Sequence, residues 1–449
     1  MRIEFLNHAS LLLEAGDARI VMDPWFEGSA FNDGWDLVAP TAFAASDWSR
    51  VTHIWYSHEH PDHFSPRTLR AIPEPTRKHI TVLYQKSADG KIVEFCRKLG
   101  FGEVRELVRG EWLSLAPGVE LRCDPFTSGD SWLAVRTPAL GFLNLNDCGI
   151  RSAQEVAAIG AEVGRVDVLA TQFSISSWDG NPEEGARLRA GAASMLEKMV
   201  CQVHGLEPRF VIPFASFVRF SHEENQFLNA FHNSIEQAVA TLEGQTRARA
   251  IAMFPGDRWS VGDAHDNASA LARWGAAYRD ATAVPLHRSR PRTLEQLREA
   301  ARAWVKRLDA LGSRARLRVA LARLRFLRAP GSSLERLLKL VALAPPRARV
   351  WLDDLARAVE ISYPAGLAAC ASPRDACDVS MSTDSLGFAL ENLFGGESLL
   401  VNARFRELRP DGRKELFGYF ELASGVNQGL RLSWASAARR VFRILTGRG

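Results

Sequence analysis

The stretch "VTHIWYSHEHPDHFSP", residues 51–66, constrains this chain more than any other. Three histidines, a glutamate and an aspartate occupy the six positions 58–63, directly after an apolar, β-prone run. On a strand, side chains alternate between faces, so His58 and His60 leave on one side and can share one ion, while Glu59 points away. Asp62 and His63 follow across Pro61, at the turn into a helix for which Ser65 is the expected N-cap and Pro66 the first residue. A single loop that presents His-x-His-x-Asp-His supplies the ligand types of a two-metal centre. Local helix capping alone does not call for five such residues within six positions.

The rest of the chain must fold around that loop. With 449 residues, 46% hydrophobic and 24% charged, it has globular composition and room for two or three domains. A formal charge of +4 is small for this length and gives no ground for nucleic-acid binding. Six cysteines, Cys96, Cys123, Cys148, Cys201, Cys370 and Cys377, are scattered without a CxxC pair, which argues against a zinc ribbon or disulfide framework and fits a reducing cytoplasm. The amino terminus has no leader-like pattern, and the longest apolar runs fall far below the roughly 18 to 20 residues needed to cross a bilayer. A cytoplasmic protein without a membrane span is expected.

Short strands with glycine and proline punctuation, interrupted by helices, predict a mixed α/β region over 1–265. "RIEFLNH", "SLLLEAG" and "ARIVMDPW" read as strands, "GEWLSLAPGVELRCDPF" as a hairpin, "SWLAVRTPALGFLNLNDCG" as two strands around a turn, and "EEGARLRAGAASMLEKMVCQVHGL" as a long helix. A helical linker or cover segment is expected over 266–345, where an Arg-rich amphipathic pattern from residue 293 reads as a solvated helix face. Residues 346–449 read as a small α+β module, with "RVWLDDLARAVEISY", "SLLVNARFREL" and "KELFGYFEL" as strands and "STDSLGFALENLFGG" as a helix.

The HxHxDH loop, together with "LNHASLLLE", "IVMDPWFEGSAFNDGW" and "MFPGDRW", resembles the metallo-β-lactamase superfamily. Within it, the similarity is to the branch of UlaG-type lactonases, N-acylphosphatidylethanolamine phospholipase D and the metallo-β-lactamase-like part of CMP-N-acetylneuraminate hydroxylase. The resemblance covers about residues 1–260 and implies an α+β fold: an αββα sandwich, followed here by the helical segment and the small module. It further implies two metal ions, with His58 and His60 on the first, Asp62 and His63 on the second, Asp147 of "FLNLNDCG" as the shared carboxylate, and His222 as the last histidine, with His204 and His232 as alternatives. His8 of "NHAS" matches a histidine near the pocket, so His8 and Asp147 are the expected catalytic groups. Asp23 of "MDPW" is placed to orient a ligand histidine. His53 reads as structural, and Trp25, Trp35 and Trp178 line either a cleft or a core.

One position departs from the family's hydrolases, which carry a histidine in a "TPGH(S/T)" setting where this chain has "TSGDS" with Asp130. Two imidazoles and a carboxylate form the set typical of non-haem iron oxygenases. Taken as a ligand, Asp130 favours a diiron O2-dependent hydroxylase with an external electron donor over the alternative, a hydrolase using a metal-bound hydroxide on a phosphodiester, lactone or amide. Iron is the favoured metal, with zinc and manganese as alternatives. No flavin or nicotinamide fingerprint and no Cys-His iron–sulfur pair stands out. The expected substrate is a small or carrier-linked metabolite. The tail, faintly similar to sterol-carrier-type folds, has three possible roles: covering the site, binding an acyl or carrier-linked substrate, or forming a homodimer.

Overall fold

A computed structural model describes residues 1–87, 90–126, 129–310 and 347–427. They fall into two compact units. The first comprises Met1–Ser176, Gly185–Ser221 and Gln226–Leu286. The second comprises Ser177–Glu184, His222–Asn225 and the chain from His287.

The first unit is built on two seven-stranded sheets. One begins with β1 (Arg2–Asn7), β2 (Ser10–Ala15) and β3 (Ala18–Met22), antiparallel neighbours joined by tight turns, the second of which passes through Gly16 at φ +54°. The short β4 (Trp35–Leu37) lies outside this sheet. After it the chain runs parallel through β5 (His53–Tyr56), β6 (Thr81–Gln85) and β7 (Glu103–Leu107). The other sheet starts as the expected hairpins, β8 (Leu113–Ala116) with β9 (Val119–Pro125), and β10 (Ser131–Arg136) with β11 (Gly141–Asn146). It continues in parallel through β12 (Val168–Gln172), β13 (Phe210–Phe214) and β15 (Arg249–Ala250). Between these, β14 (Val218–Phe220) pairs with β4, and β16 (Arg258–Ser260) closes the first sheet beside β1.

Alternation along the strands assigns the layers. Phe5, Leu11, Leu13 and Ile20 of the first sheet share one core with Leu121, Leu133, Leu143 and Leu169 of the second. On the outer face of the first sheet, Leu12, Val21, Ile54 and Val82 bury Leu69 and Ile92 from the helices Pro66–Ala71 and Lys91–Lys98. The parallel crossovers carry α4 (Ala153–Val163), α5 (Gly185–Leu206) and α6 (Ile235–Gln245), which places helices on the outer face of the second sheet. This is the expected αββα sandwich. The helix Asn267–Ala283 also buries Ala270 and Trp274 in the inter-sheet core. The first unit therefore extends to Leu286 and takes in the beginning of the segment read above as a linker.

In the second unit, a five-stranded sheet has the order β19-β18-β17-β20-β21, from β17 (Arg347–Leu352), β18 (Arg357–Ser362), β19 (Gly366–Cys370), β20 (Val379–Met381) and β21 (Arg406–Glu407). The helix Leu294–Ala310 buries Leu297, Ala301, Trp304 and Leu308 at helical spacing. The remainder of the Arg-rich stretch, 311–346, lies outside the described residues.

Two strand readings in this unit are corrected. "KELFGYFEL" lies in the helix Gly412–Asn427, because Leu416, Tyr419 and Phe420 are buried at positions i, i+3 and i+4, the helical period, whatever the β-propensity of the aromatics. "SLLVN" ends the helix Gly395–Asn402, which stops at Ala403 in the left-handed region with its N–H donating to Leu399 O. Only Arg406–Glu407 pair as a strand. No helix among the described residues is long and apolar enough to cross a membrane.

Candidate metal centre

Parallel strands leave their carboxyl ends on one edge of a sheet, and the loop after β5 opens there. Ser65 Oγ accepts the Thr68 N–H, and Pro66 begins the following helix, which fixes the far end of that loop. His63 and Phe64 N–H groups donate to His60 O, folding the loop into a compact turn.

Two overlapping groups result, each with ligand atoms within 4.8 Å of one another: His58, His63 and Asp147, and His8, Asp62 and His63. His63 Nε2 lies 3.4 Å from Asp62 Oδ2 and 3.3 Å from Asp147 Oδ2. His58 Nε2 is 2.9 Å from His60 Nδ1 and 3.8 Å from Asp130 Oδ1. The sequence-predicted residues His8, His58, His60, Asp62, His63, Asp130 and Asp147 are thus linked by contacts within one site. His222 is in neither group. It belongs to the second unit, where its Nδ1 accepts the Glu224 N–H at 3.2 Å and its Nε2 is buried without a hydrogen-bond partner among the described residues. His204 is exposed on α5, and His232 Nε2 is buried. Trp25 and Trp35 are core residues edge-on to His8, whereas Trp178 stacks on Phe405 in the second unit.

Behind the loop, Asp23 lies against both Ser57 and His63. Its Oδ1 accepts the Ser57 N–H at 2.8 Å, and its Oδ2 accepts the Ser57 hydroxyl at 2.8 Å and lies 3.0 Å from His63 Nδ1. Ser57, having donated its proton to Asp23, is left as an acceptor for His58 Nδ1–H at 2.8 Å. Both histidines therefore carry a proton on Nδ1 and aim Nε2 into the site, the usual way in which outer partners orient metal-binding imidazoles. His8 is held differently. Its Nδ1 accepts the Phe217 N–H at 3.2 Å, so Nε2 bears the proton and faces Asp62 Oδ2 at 3.3 Å.

The electrostatics follow from burial set against these carboxylates. Burial lowers His58 to about 4. Burial also opposes a charge on His63, but Asp62, Asp147 and Asp23 outweigh it and raise its pKa well above the ordinary value. Burial pushes Asp130 up to about 6. The chemistry of the donor set fits metal ions, since His63 Nε2 and Asp62 Oδ1 are buried with no hydrogen-bond partner among the described residues, a costly state that a cation between them relieves.

Ser57, Gln172 and Lys198 were not singled out from the sequence. Gln172 ends β12 and donates from Nε2 to Asp147 Oδ1 at 3.2 Å. Lys198, buried on α5, donates from Nζ to Gln172 Oε1 at 3.0 Å. The signal was available in "ASMLEKMVCQV", where Met195, Met199 and Val203 mark the buried stripe and Lys198 falls within it.

Residues 2–128 match the family described as "Beta-lactamase superfamily domain". Among curated proteins, the chain is 25% identical over 242 residues to the cytidine monophosphate-N-acetylneuraminic acid hydroxylase of Mus musculus, covering 51% of this chain and 41% of that protein. It is 40% identical over 242 residues to the protein of the same name from Pongo pygmaeus, covering 51% and 40%. The chain thus spans about two fifths of the length of the curated relatives it matches. Among solved structures, CmlA, a diiron beta-hydroxylase from Streptomyces venezuelae, aligns with a TM-score of 0.42 at 19% identity, over 58% of this chain and 54% of that one. The HxHxDH loop at the end of β5 lies within the residues that match the β-lactamase superfamily domain, and residues 2–128 are on that ground assigned to the metallo-β-lactamase superfamily.

Proposed function

We propose that the first unit is a dinuclear metalloenzyme whose metals are two irons, and that it hydroxylates a small or carrier-linked metabolite with O2 and electrons from an external donor. The observation that carries this reading is Asp130. Its carboxylate lies 3.8 Å from His58 Nε2, and by the resemblance of "TSGDS" to "TPGH(S/T)" it stands for the imidazole of the superfamily's hydrolases. A carboxylate is harder and more negative than imidazole and favours the higher oxidation states of iron. The curated relatives named as hydroxylases support the same side.

In this reading His58, His60 and Asp130 would hold one metal and Asp62 and His63 the other, with Asp147 within reach of both sets. Bound there, an iron pair supplies the redox chemistry that O2 activation requires, which no side chain of the protein can provide. The residues supply the rest. Asp23 and Ser57 keep His58 and His63 in the Nδ1–H form. His8, with its proton on Nε2, holds Asp62 as an acceptor and keeps a proton at the edge of the site. Trp25 and Trp35, both buried, pack edge-on against His8 and keep bulk water from that side.

The test is metal content and O2 consumption of protein purified without added metal. Iron near two per chain, with an absorption band that changes on reduction and on exposure to O2, is the expected result. Zinc alone, together with phosphodiesterase, lactonase or amidase activity, sinks the oxygenase reading in favour of a hydrolase. Asp130→His should raise zinc retention and abolish O2 chemistry. O2 chemistry that survives this change removes the role given to Asp130.

A further inference from the structure

We infer that Lys198 is a positioning residue for the metal centre, acting through Gln172 to set the donor direction toward Asp147. The inference rests on the metal-site reading above. Its basis is the direction in which each group can hydrogen-bond.

An ammonium only donates. Lys198 Nζ, 3.0 Å from Gln172 Oε1, therefore fixes which end of that amide faces it. The other end is then determined: Gln172 Nε2 faces Asp147, donates to Oδ1 at 3.2 Å, and also points to Ala215 O at 3.5 Å. Asp147 Oδ1 is engaged in this bond, and Oδ2 remains the oxygen turned to His63 at 3.3 Å. Asp147 N–H is itself held by Asn146 Oδ1 at 2.6 Å, so backbone and side chain are both fixed.

Without the lysine the amide orientation rests only on the two long contacts of Nε2, to Asp147 Oδ1 and Ala215 O, and Oε1 is left without its donor. The flipped amide would set a carbonyl oxygen against a carboxylate. Lys198 is nearly fully buried, with 3% exposure, and a buried lysine is costly enough that its retention calls for a return. Burial lowers its pKa to about 8, with Asp147 acting in the opposite sense, so the group remains protonated at neutral pH.

Two variants separate this role from a structural one. Lys198→Met removes the cation and frees the amide. Gln172→Glu leaves Lys198 with an acceptor but removes the donor to Asp147 and sets a like charge against it. The probe is cobalt(II), read by equilibrium competition with a chelator and by its visible absorption spectrum, with the thermal unfolding midpoint recorded for each metal-free protein.

Loss of tenfold or more in cobalt affinity in both variants is expected, with an altered cobalt spectrum. The double variant should bind no more weakly than the weaker single one, because both changes break one chain of contacts. Affinities and spectra equal to the parent's in both variants, or a Lys198→Met effect confined to the unfolding midpoint, overturn the inference while leaving the metal site standing. A parent protein that binds no cobalt overturns the metal-site reading itself.

Discussion

The Phe217 backbone N–H donates to His8 Nδ1, and that one bond decides what His8 can be. With Nδ1 occupied as an acceptor at 3.2 Å, the neutral ring carries its proton on Nε2, facing Asp62 Oδ2. An imidazole fixed in this tautomer is a donor to the Asp62 carboxylate and has no free lone pair for an ion. It is the reverse of His58 and His63, whose Nδ1 protons are held by Ser57 and Asp23.

His8→Phe should therefore preserve the packing against Trp25 and Trp35 but remove the donor to Asp62. We expect metal affinity to fall about 10- to 100-fold, measured by chelator competition. Metal affinity equal to the parent's would show that Asp62 needs no such partner.

Asp23→Asn targets the acceptor side. One carboxylate receives the Ser57 N–H and hydroxyl and faces His63, and an amide cannot accept with both of its ends. A buried donor left unpaired costs about 1 to 3 kcal/mol, so chemical denaturation should register a loss of that size in the metal-free protein, together with weaker metal binding. An unchanged denaturation midpoint would contradict this account.

Metal uptake should depend on pH through two groups. In the metal-free protein Asp130 titrates near 6, raised by burial. Below that pH a proton must leave before the carboxylate can hold a cation, so affinity falls as pH drops. His63, whose pKa is raised well above the ordinary value by its carboxylate neighbours against the effect of burial, also holds a proton that the metal displaces. Calorimetry in buffers of different ionisation enthalpy should detect proton release on metal addition at pH 7, and Asp130→Asn should flatten the dependence below about pH 6.

His232 gives a stability prediction independent of metal. Burial, with a smaller contribution from His8, lowers its pKa from 6.5 to about 4. Between those values the unfolded chain binds a proton that the folded one excludes. Stability is therefore fully present above pH 6.5 and is lost as pH falls toward 4, by up to about 3 kcal/mol for this group. Urea titrations across that range should show the loss, and His232→Gln should reduce it.

How much of this was legible in advance follows from the range of the interactions. The loop 58–63 is local, with its ligand types and spacing written in consecutive residues. The strands and hairpins could be read because alternation and the turns beside it are also local, whereas their layering into a sandwich was implied only by the family resemblance. Asp23 could be placed because it follows a strand that pairs with β5. Lys198 and Gln172 could not be paired from the sequence, because their contact depends on how α5 lies over β12, and a buried lysine resembles an exposed one until the helix face is known. The "KELFGYFEL" misreading has the opposite cause: aromatic residues favour strands in isolation, and only the burial of Leu416, Tyr419 and Phe420 on one side reveals a helix.

The division of the chain into units carries a consequence for its inheritance as a module. The backbone passes between the two units five times, at 176/177, 184/185, 221/222, 225/226 and 286/287. The short segments from the first half find their partners late in the sequence: Trp178 N–H donates to Leu400 O, Asn225 Nδ2 to Asn402 O, and buried Arg404 donates from Nε to Glu224 Oε2 at 2.7 Å. A chain cut after Leu286 would keep Glu224 and Asn225 but lose every one of these partners, and a carboxylate that had been matched to a buried arginine would be left without it. The later half of this sequence cannot be exchanged or discarded as a bead on a string, because two loops of the earlier half are already part of its interior.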